Sequence, residues 1–398
     1  MFSAKEISDY VDAHAGEAIG CLKEIVSCPS VTGRELEASR IFERRMREMG
    51  LDVTSYEAAK DRPNLFGEWR GSRPGKRFVF NGHMDVFPPD EAGMPFGPWG
   101  AEIHDGKLYG RGASDMKGGD CIALMAVAFL KEMGFDPKGS VLLSWMVDEE
   151  NGSKYGVIAD LKKGLIKGDF GICPEPTDGI LVTKHGGIIR GHVTYTSVAQ
   201  HTGVPYRYGE DALQKAYRAI GELYKISDRL AQVPSQGDVP PPCFSISVIH
   251  SGEAANVHPS KAVFWFDRRL VPGEDHDAAL KEITDTLDRL KRERLGYDYE
   301  FEVTNDRPLL DIDDEDPFIK LIQKSYEEVM GRPLKCAFRA GGSDAAWIQK
   351  ETGMPIPNFS PAVCFGPEGS GGAEENISIE GYIDFIKVFM MVVVNALK

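Results

Sequence analysis

Apolar and polar positions change period along this chain, and the changes mark its elements. From Ala38 to Met49 the apolar residues recur at helical spacing, which predicts an amphipathic helix. Short apolar runs follow at 77–83 (RFVFNGH), 140–148 (SVLLSWMVD) and 169–175 (DFGICPE), each bounded by glycine, proline or charge. Between the first two lies an apolar helix, CIALMAVAFLKEMG, at 121–134. Strands alternating with helices predict an α/β domain with a mostly parallel central sheet, whose ligands gather at the carboxyl ends of the strands.

After about Gly187 the texture changes. A strand IIRGHVTYTSV, a helix DALQKAYRAIGELYKI, strands CFSISVIHS and AVFWFDRRLV, and a charged helix HDAALKEITDTLDRLKRERLG follow in turn. That order is the skeleton of a small ferredoxin-like α+β domain. Beyond Tyr297 the strand YEFEV, the helix DPFIKLIQKSYEEVM and the turn AGGSDA read as a return to α/β texture. The expectation is a discontinuous catalytic domain at 1–187 and 298–398 with an inserted domain at 188–297. A chain of 398 residues is long enough for two cores.

A net charge of -15 argues against nucleic acid or anionic membranes as partners, since both are held by basic patches. Seven cysteines form no C-x-x-C pair, which fits a reducing, cytoplasmic setting better than a disulfide framework. The N-terminal stretch is acidic and amphipathic, unlike a signal peptide. The apolar tail FMMVVVNAL is too short to span a bilayer and reads as a packed terminal helix.

Candidate chemistry sits at the ends of the apolar runs. His83 and Asp85 follow the first, and on an extended strand they share a face, so the Asp85 carboxylate can bond one imidazole nitrogen while the other binds metal. Asp115 stands among glycines in GRGASDMKGG, as a ligand or as a plain helix cap. Asp148, Glu149 and Glu150 are consecutive carboxylates, and such like charges call for a nearby cation. Glu175 is locked between two prolines. Singly, each is better explained as a structural residue; together they supply the nitrogen and oxygen donors that zinc uses. Of the two adjacent glutamates, Glu150 would hold metal and Glu149 would act as general base.

In GHMDV, GRGASDMKGG, DEENGS, PEP, then AQHTGVPYRYGEDA, GEAANVHPS, FDRRLVPGED and AGGSDA, in that order, the chain resembles a metallopeptidase family. That family includes acetylornithine deacetylase, succinyl-diaminopimelate desuccinylase, aminoacylase and glutamate carboxypeptidase. The resemblance implies a zinc-peptidase-like catalytic domain and a lid domain that pairs two copies into a homodimer. It also implies one metal on His83, Asp115 and Glu175, with Asp115 bridging to a second on Glu150. Asp85 would orient His83, and His201 would reach the substrate carbonyl across the dimer. Asn256 and Arg269 would bind the substrate carboxylate, and the Gly341-Gly342-Ser343 loop would offer backbone donors. One or two divalent ions are implied, Zn2+ first, with Mn2+ or Co2+ as alternatives.

One departure stands out. The resemblance calls for a second-metal histidine near the C-terminus, yet the segment reads GPEGSGGAEENISIE and the last histidine is His276. Either Glu374 or Glu375 supplies a carboxylate instead, which favours harder ions such as manganese, or the second ion binds weakly or not at all. An exposed acidic turn explains the two glutamates equally well. The expected function is metal-dependent hydrolysis of an amide bond in a small N-acyl amino acid or short peptide with a free carboxylate. A dipeptidase and a catalytically silent binding homologue are the alternatives.

Overall fold

The computed structural model describes residues 2–90 and 92–398. The chain divides into two compact units: Met1–Thr183 with Ile312–Ala337 and Ser343–Lys398, and Lys184–Asp311 with Phe338–Gly342.

The first unit is built on a five-stranded sheet in the order Asp52–Ala59, Arg62–Arg70, Lys138–Met146, Arg73–His83, Phe170–Ile172. Arg73–His83 runs parallel to both its neighbours, while the other two pairings are antiparallel. The parallel half arises from the three apolar runs, and its strands are buried on both faces, as continuous rather than alternating apolar sequence requires. Phe78, Val79 and Phe80 are fully buried, as are Val141, Leu143 and Trp145. The helix Lys117–Glu132 is buried from Lys117 through Leu130, consistent with its apolar character on every side. The tail forms the helix Ile379–Leu397 and packs into the same core, with the Phe389 ring stacked on Phe80 at 5.2 Å. Each such buried aromatic or aliphatic side chain contributes about 1.5–3 kcal/mol. Among the described residues no helix is long and apolar enough to cross a membrane.

The second unit is a four-stranded antiparallel sheet ordered Cys243–Ser251, Lys261–Leu270, Gly187–Thr196, Tyr299–Arg307. Helices Ala212–Leu230 and His276–Glu293 supply its core, in which Ala216, Leu223, Ile283 and Leu287 pack with Phe264 and Phe266. Alternation is clean on Lys261–Leu270, where Ala262, Phe264, Phe266, Arg268 and Leu270 are the buried set. This is the split β-α-β order of a ferredoxin-like domain. The expected boundary at 298 is corrected by it. The strand beginning at Tyr299 pairs antiparallel with Gly187–Thr196, placing Tyr299 opposite Tyr195 and Phe301 opposite Val193. It is the sixth element of the inserted unit, not the first of the returning one, because only there do its backbone groups find partners.

Candidate metal centre

The parallel strands of the first unit end where the chemistry begins. His83 closes Arg73–His83, Glu149 follows the end of Lys138–Met146 by three residues, and Glu175 follows the end of Phe170–Ile172 by three. Asp115 stands just before the helix Lys117–Glu132. Gly119 brings that helix close: a Cβ there would lie 1.9 Å from the Pro174 carbonyl oxygen, beside Glu175. Gly112, at φ +85, turns the loop into Asp115 with a conformation other residues resist.

His83, Asp115 and Glu175 each offer one donor atom within 4.8 Å of the others. His83 Nε2 lies 3.1 Å from Asp115 Oδ1 and 3.7 Å from Glu175 Oε1. One nitrogen and two carboxylate oxygens so close, in a site where His83 is 1% exposed, fit a divalent ion such as zinc. Among the described residues this is the one such group. Burial alone would push the His83 imidazolium down, but the Asp115 hydrogen bond and the charges of Glu175 and Glu149 outweigh it and hold its pKa well above the ordinary value. Glu150 also moves up, through burial and then the charge of Asp115.

A ligating imidazole must be neutral, so an ion entering this cluster displaces the proton that the carboxylates hold on His83. Metal affinity is therefore expected to climb with pH and to weaken as pH falls, throughout the range below the raised His83 pKa. Calorimetric titration in two buffers of different ionisation enthalpy checks this: the apparent heats should differ, and identical heats would mean that no proton leaves.

Asp85 works differently from the sequence expectation. His83 Nδ1 meets its main-chain carbonyl oxygen at 2.8 Å, while its carboxylate lies 3.7 Å from the ring, beyond hydrogen-bond range. The strand ends at His83, so the period-two argument no longer applies at residue 85. The carboxylate instead accepts the main-chain N–H groups of Glu149 (3.1 Å) and Glu150 (3.2 Å) and the Thr32 hydroxyl (2.9 Å). These are open donors at the start of the short 3₁₀ turn Glu149–Asn151, which need an acceptor.

The three consecutive acids go to three places. Asp148, in the left-handed region at φ 72, pairs with Arg62 at 3.0 Å and accepts the Tyr155 N–H at 3.0 Å. Arg62 also holds the buried Glu35, its Nε 3.0 Å from Oε2. Glu149 is 5% exposed and lies near enough to act on the His83 charge. Glu150 stands outside the three-donor group, with an Oε1 shielded from solvent and without a hydrogen-bond partner.

The other anticipated residues fall elsewhere. Glu374, one of the alternatives for a second-ion ligand, is exposed and outside the donor cluster. Glu375 is buried but occupied: its carboxylate takes the Arg111 guanidinium and the N–H groups of Gly112, Ser114 and Asp115 at 2.9, 3.1 and 3.1 Å. In the second unit Asn256 Nδ2 and His201 Nε2 lie 3.4 Å apart and both residues are exposed. Arg269 Nε donates to Asp267 at 2.7 Å. Gly341 and Gly342 belong to that unit, whereas Ser343 belongs to the first, where its hydroxyl meets Asn358 Oδ1 at 2.9 Å. Sequence reasoning did not find Arg62, Glu35, Arg111 or Ser370, whose hydroxyl donates to Asp115 Oδ2. No motif signals them, since each acts on a residue distant in the chain.

Comparison with known proteins follows the same lines. A family model described as peptidase family M20/M25/M40 matches residues 79–395. Succinyl-diaminopimelate desuccinylase from Gluconacetobacter diazotrophicus is 32% identical over 259 residues, which cover 62% of this chain and 65% of that enzyme. The match thus spans just under two thirds of the desuccinylase. N-formyl-4-amino-5-aminomethyl-2-methylpyrimidine deformylase from Bacillus subtilis is 24% identical over 414 residues, 97% of this chain and 96% of that one. Among solved structures, a dinuclear metal-binding peptidase of the M20 family from Bacillus subtilis superposes with a TM-score of 0.68 at 16% identity, covering 96% of this chain and 99% of that chain.

Proposed function

We propose, on the premise that this chain belongs to peptidase family M20/M25/M40, that it is a metal-dependent hydrolase of amide bonds in small N-acyl amino acids or short peptides with a free carboxylate. The observation that carries this reading is the meeting of His83, Asp115 and Glu175 within 4.8 Å, next to a buried Glu149 that is not one of the three. A divalent ion held by those three, zinc by donor type and manganese or cobalt as substitutes, would acidify water and polarise the amide carbonyl. Glu149 accepts the proton of the attacking water at its carboxylate and delivers it to the leaving amine nitrogen. His83 is kept in one orientation by the Asp85 carbonyl, and the base by the Asp85 carboxylate. His201 is assigned to the oxyanion, Asn256 and Arg269 to the substrate carboxylate, and the Gly341-Gly342-Ser343 loop to backbone donation.

The two relatives compared, a desuccinylase and a deformylase by name, support acyl removal from an amine. The test is a screen of N-acetyl, N-succinyl and N-formyl amino acids and of dipeptides against protein loaded with zinc, manganese or cobalt. Release of free amine from blocked substrates supports the deacylase reading. Turnover only of dipeptides with a free amino terminus would replace it by a dipeptidase, and no turnover with any ion would end it. The seven cysteines, none of them in a disulfide, support a reducing, cytoplasmic setting.

A homodimer is part of the same proposal. Cys243–Ser251 is an edge strand with exposed Val248 and Ile249, and Tyr217, 73% exposed, and Tyr224 stand on the neighbouring helix Ala212–Leu230. An apolar edge of this kind is a site for strand pairing with a second copy. Tyr217→Glu combined with Val248→Lys is expected to convert a dimer to a monomer in sedimentation velocity; an unchanged sedimentation coefficient would place the interface elsewhere.

A further inference from the structure

The two oxygens of Asp115 have different partners. Oδ1 faces His83 Nε2 at 3.1 Å within the donor cluster, whereas Oδ2 accepts the hydroxyl proton of Ser370. The two glutamates that follow Ser370 in the chain stand outside the donor cluster. Glu375 is committed to Arg111 and three main-chain N–H groups, and Glu374 is exposed, its N–H on the Pro367 carbonyl at 2.8 Å. No histidine follows His276 in the sequence, and the first unit's other two histidines are engaged elsewhere: His14 on the Tyr10 carbonyl, His104 on Glu102. Among the described residues, a second ion beside Asp115 would therefore find Glu150, an oxygen already hydrogen-bonded and no further histidine. That is well short of the four ligands zinc ordinarily takes.

We propose that this centre retains a single divalent ion, on His83, Asp115 and Glu175, and that the Ser370 hydroxyl occupies the Asp115 oxygen through which a second ion would be bridged. The inference rests on the metal-centre reading above and departs from the dinuclear state named for the Bacillus subtilis peptidase. Ser370 is a positioning residue here: it holds Oδ2 in place while Oδ1 faces the ion.

The experiment counts ions rather than turnover. Chelator-stripped full-length protein is reloaded with excess Mn2+ or Zn2+, desalted, and assayed for metal per chain by plasma mass spectrometry, with electron paramagnetic resonance on the manganese form. Wild type is expected to retain one ion per chain with the spectrum of an isolated Mn2+. Ser370→His, which supplies an imidazole beside Oδ2, is expected to retain two, with an exchange-coupled spectrum. Two ions in wild type would overturn the inference while leaving the proposed function standing; none would overturn the metal centre itself. Ser370→His retaining one ion with a wild-type melting temperature would remove Ser370 from its assigned place. Should that variant not fold, Ser370→Asp, which offers a carboxylate at the same position, is counted against the same expectation of two.

Discussion

Glu149→Ala is expected to lower kcat by about 10²–10⁴-fold, the usual contribution of a positioned general base, with metal content unchanged. The reason lies in the division of labour on the 3₁₀ turn. Glu149 is buried beside the His83 cluster but is not one of the three mutually close donors, so removing its carboxylate takes away proton transfer and leaves the ligands in place. Its main-chain N–H stays on Asp85 Oδ1, so the turn persists in the variant. Kinetics with an N-acyl substrate and metal analysis of the same preparation decide the matter. If metal is lost along with activity, Glu149 is a ligand and the roles given to Glu149 and Glu150 are exchanged.

The largest stability loss is expected at Glu375. Its carboxylate answers a guanidinium that is 3% exposed, together with the N–H groups of Gly112, Ser114 and Asp115, and every one of those contacts is a donor. Burial pushes its pKa up to about 7, with Arg111 pulling the other way. The ionised form is nevertheless the one this loop is shaped for, since a protonated oxygen would find no acceptor among those partners. Glu375→Ala leaves Arg111 buried without its counter-charge, a change that costs about 3–5 kcal/mol. It also frees the main chain at Asp115, so metal affinity should fall with it. Glu375→Gln keeps one acceptor oxygen and should lie between the two. Urea unfolding of the metal-free proteins measures the first effect, and a loss below about 1 kcal/mol would show that water replaces the carboxylate.

What the chain discloses before folding, and what it withholds, divides along physical lines. His83, Asp115 and Glu175 were legible because each follows or precedes an apolar run, and parallel strands deliver their carboxyl ends to one edge. The helices were legible for the same reason, through period and apolar content. The strand Tyr299–Arg307 is ambiguous in sequence because YEFEV has the right alternation for either unit; only its pairing with Gly187–Thr196 decides. Arg62 and Glu35 were invisible, since an ion pair that tames Asp148 across the fold leaves no spacing to read. Glu374 drew attention and Glu375 proved to be the buried one, because a turn that exposes one residue faces its neighbour inward, and sequence does not say which. Ser370 gave no sign at all: serine in a glycine-rich turn is ordinary until its hydroxyl meets a carboxylate.

Asp85 ties two moving parts to one post. Its carbonyl steadies the imidazole and its side chain steadies the turn that carries the base, so one residue sets the orientation of both. A substitution at this position removes the carboxylate and keeps the carbonyl, so Asp85→Ala should blunt turnover while largely sparing metal affinity, and changes at Thr32, which touches only the side chain, should do the same to a smaller degree.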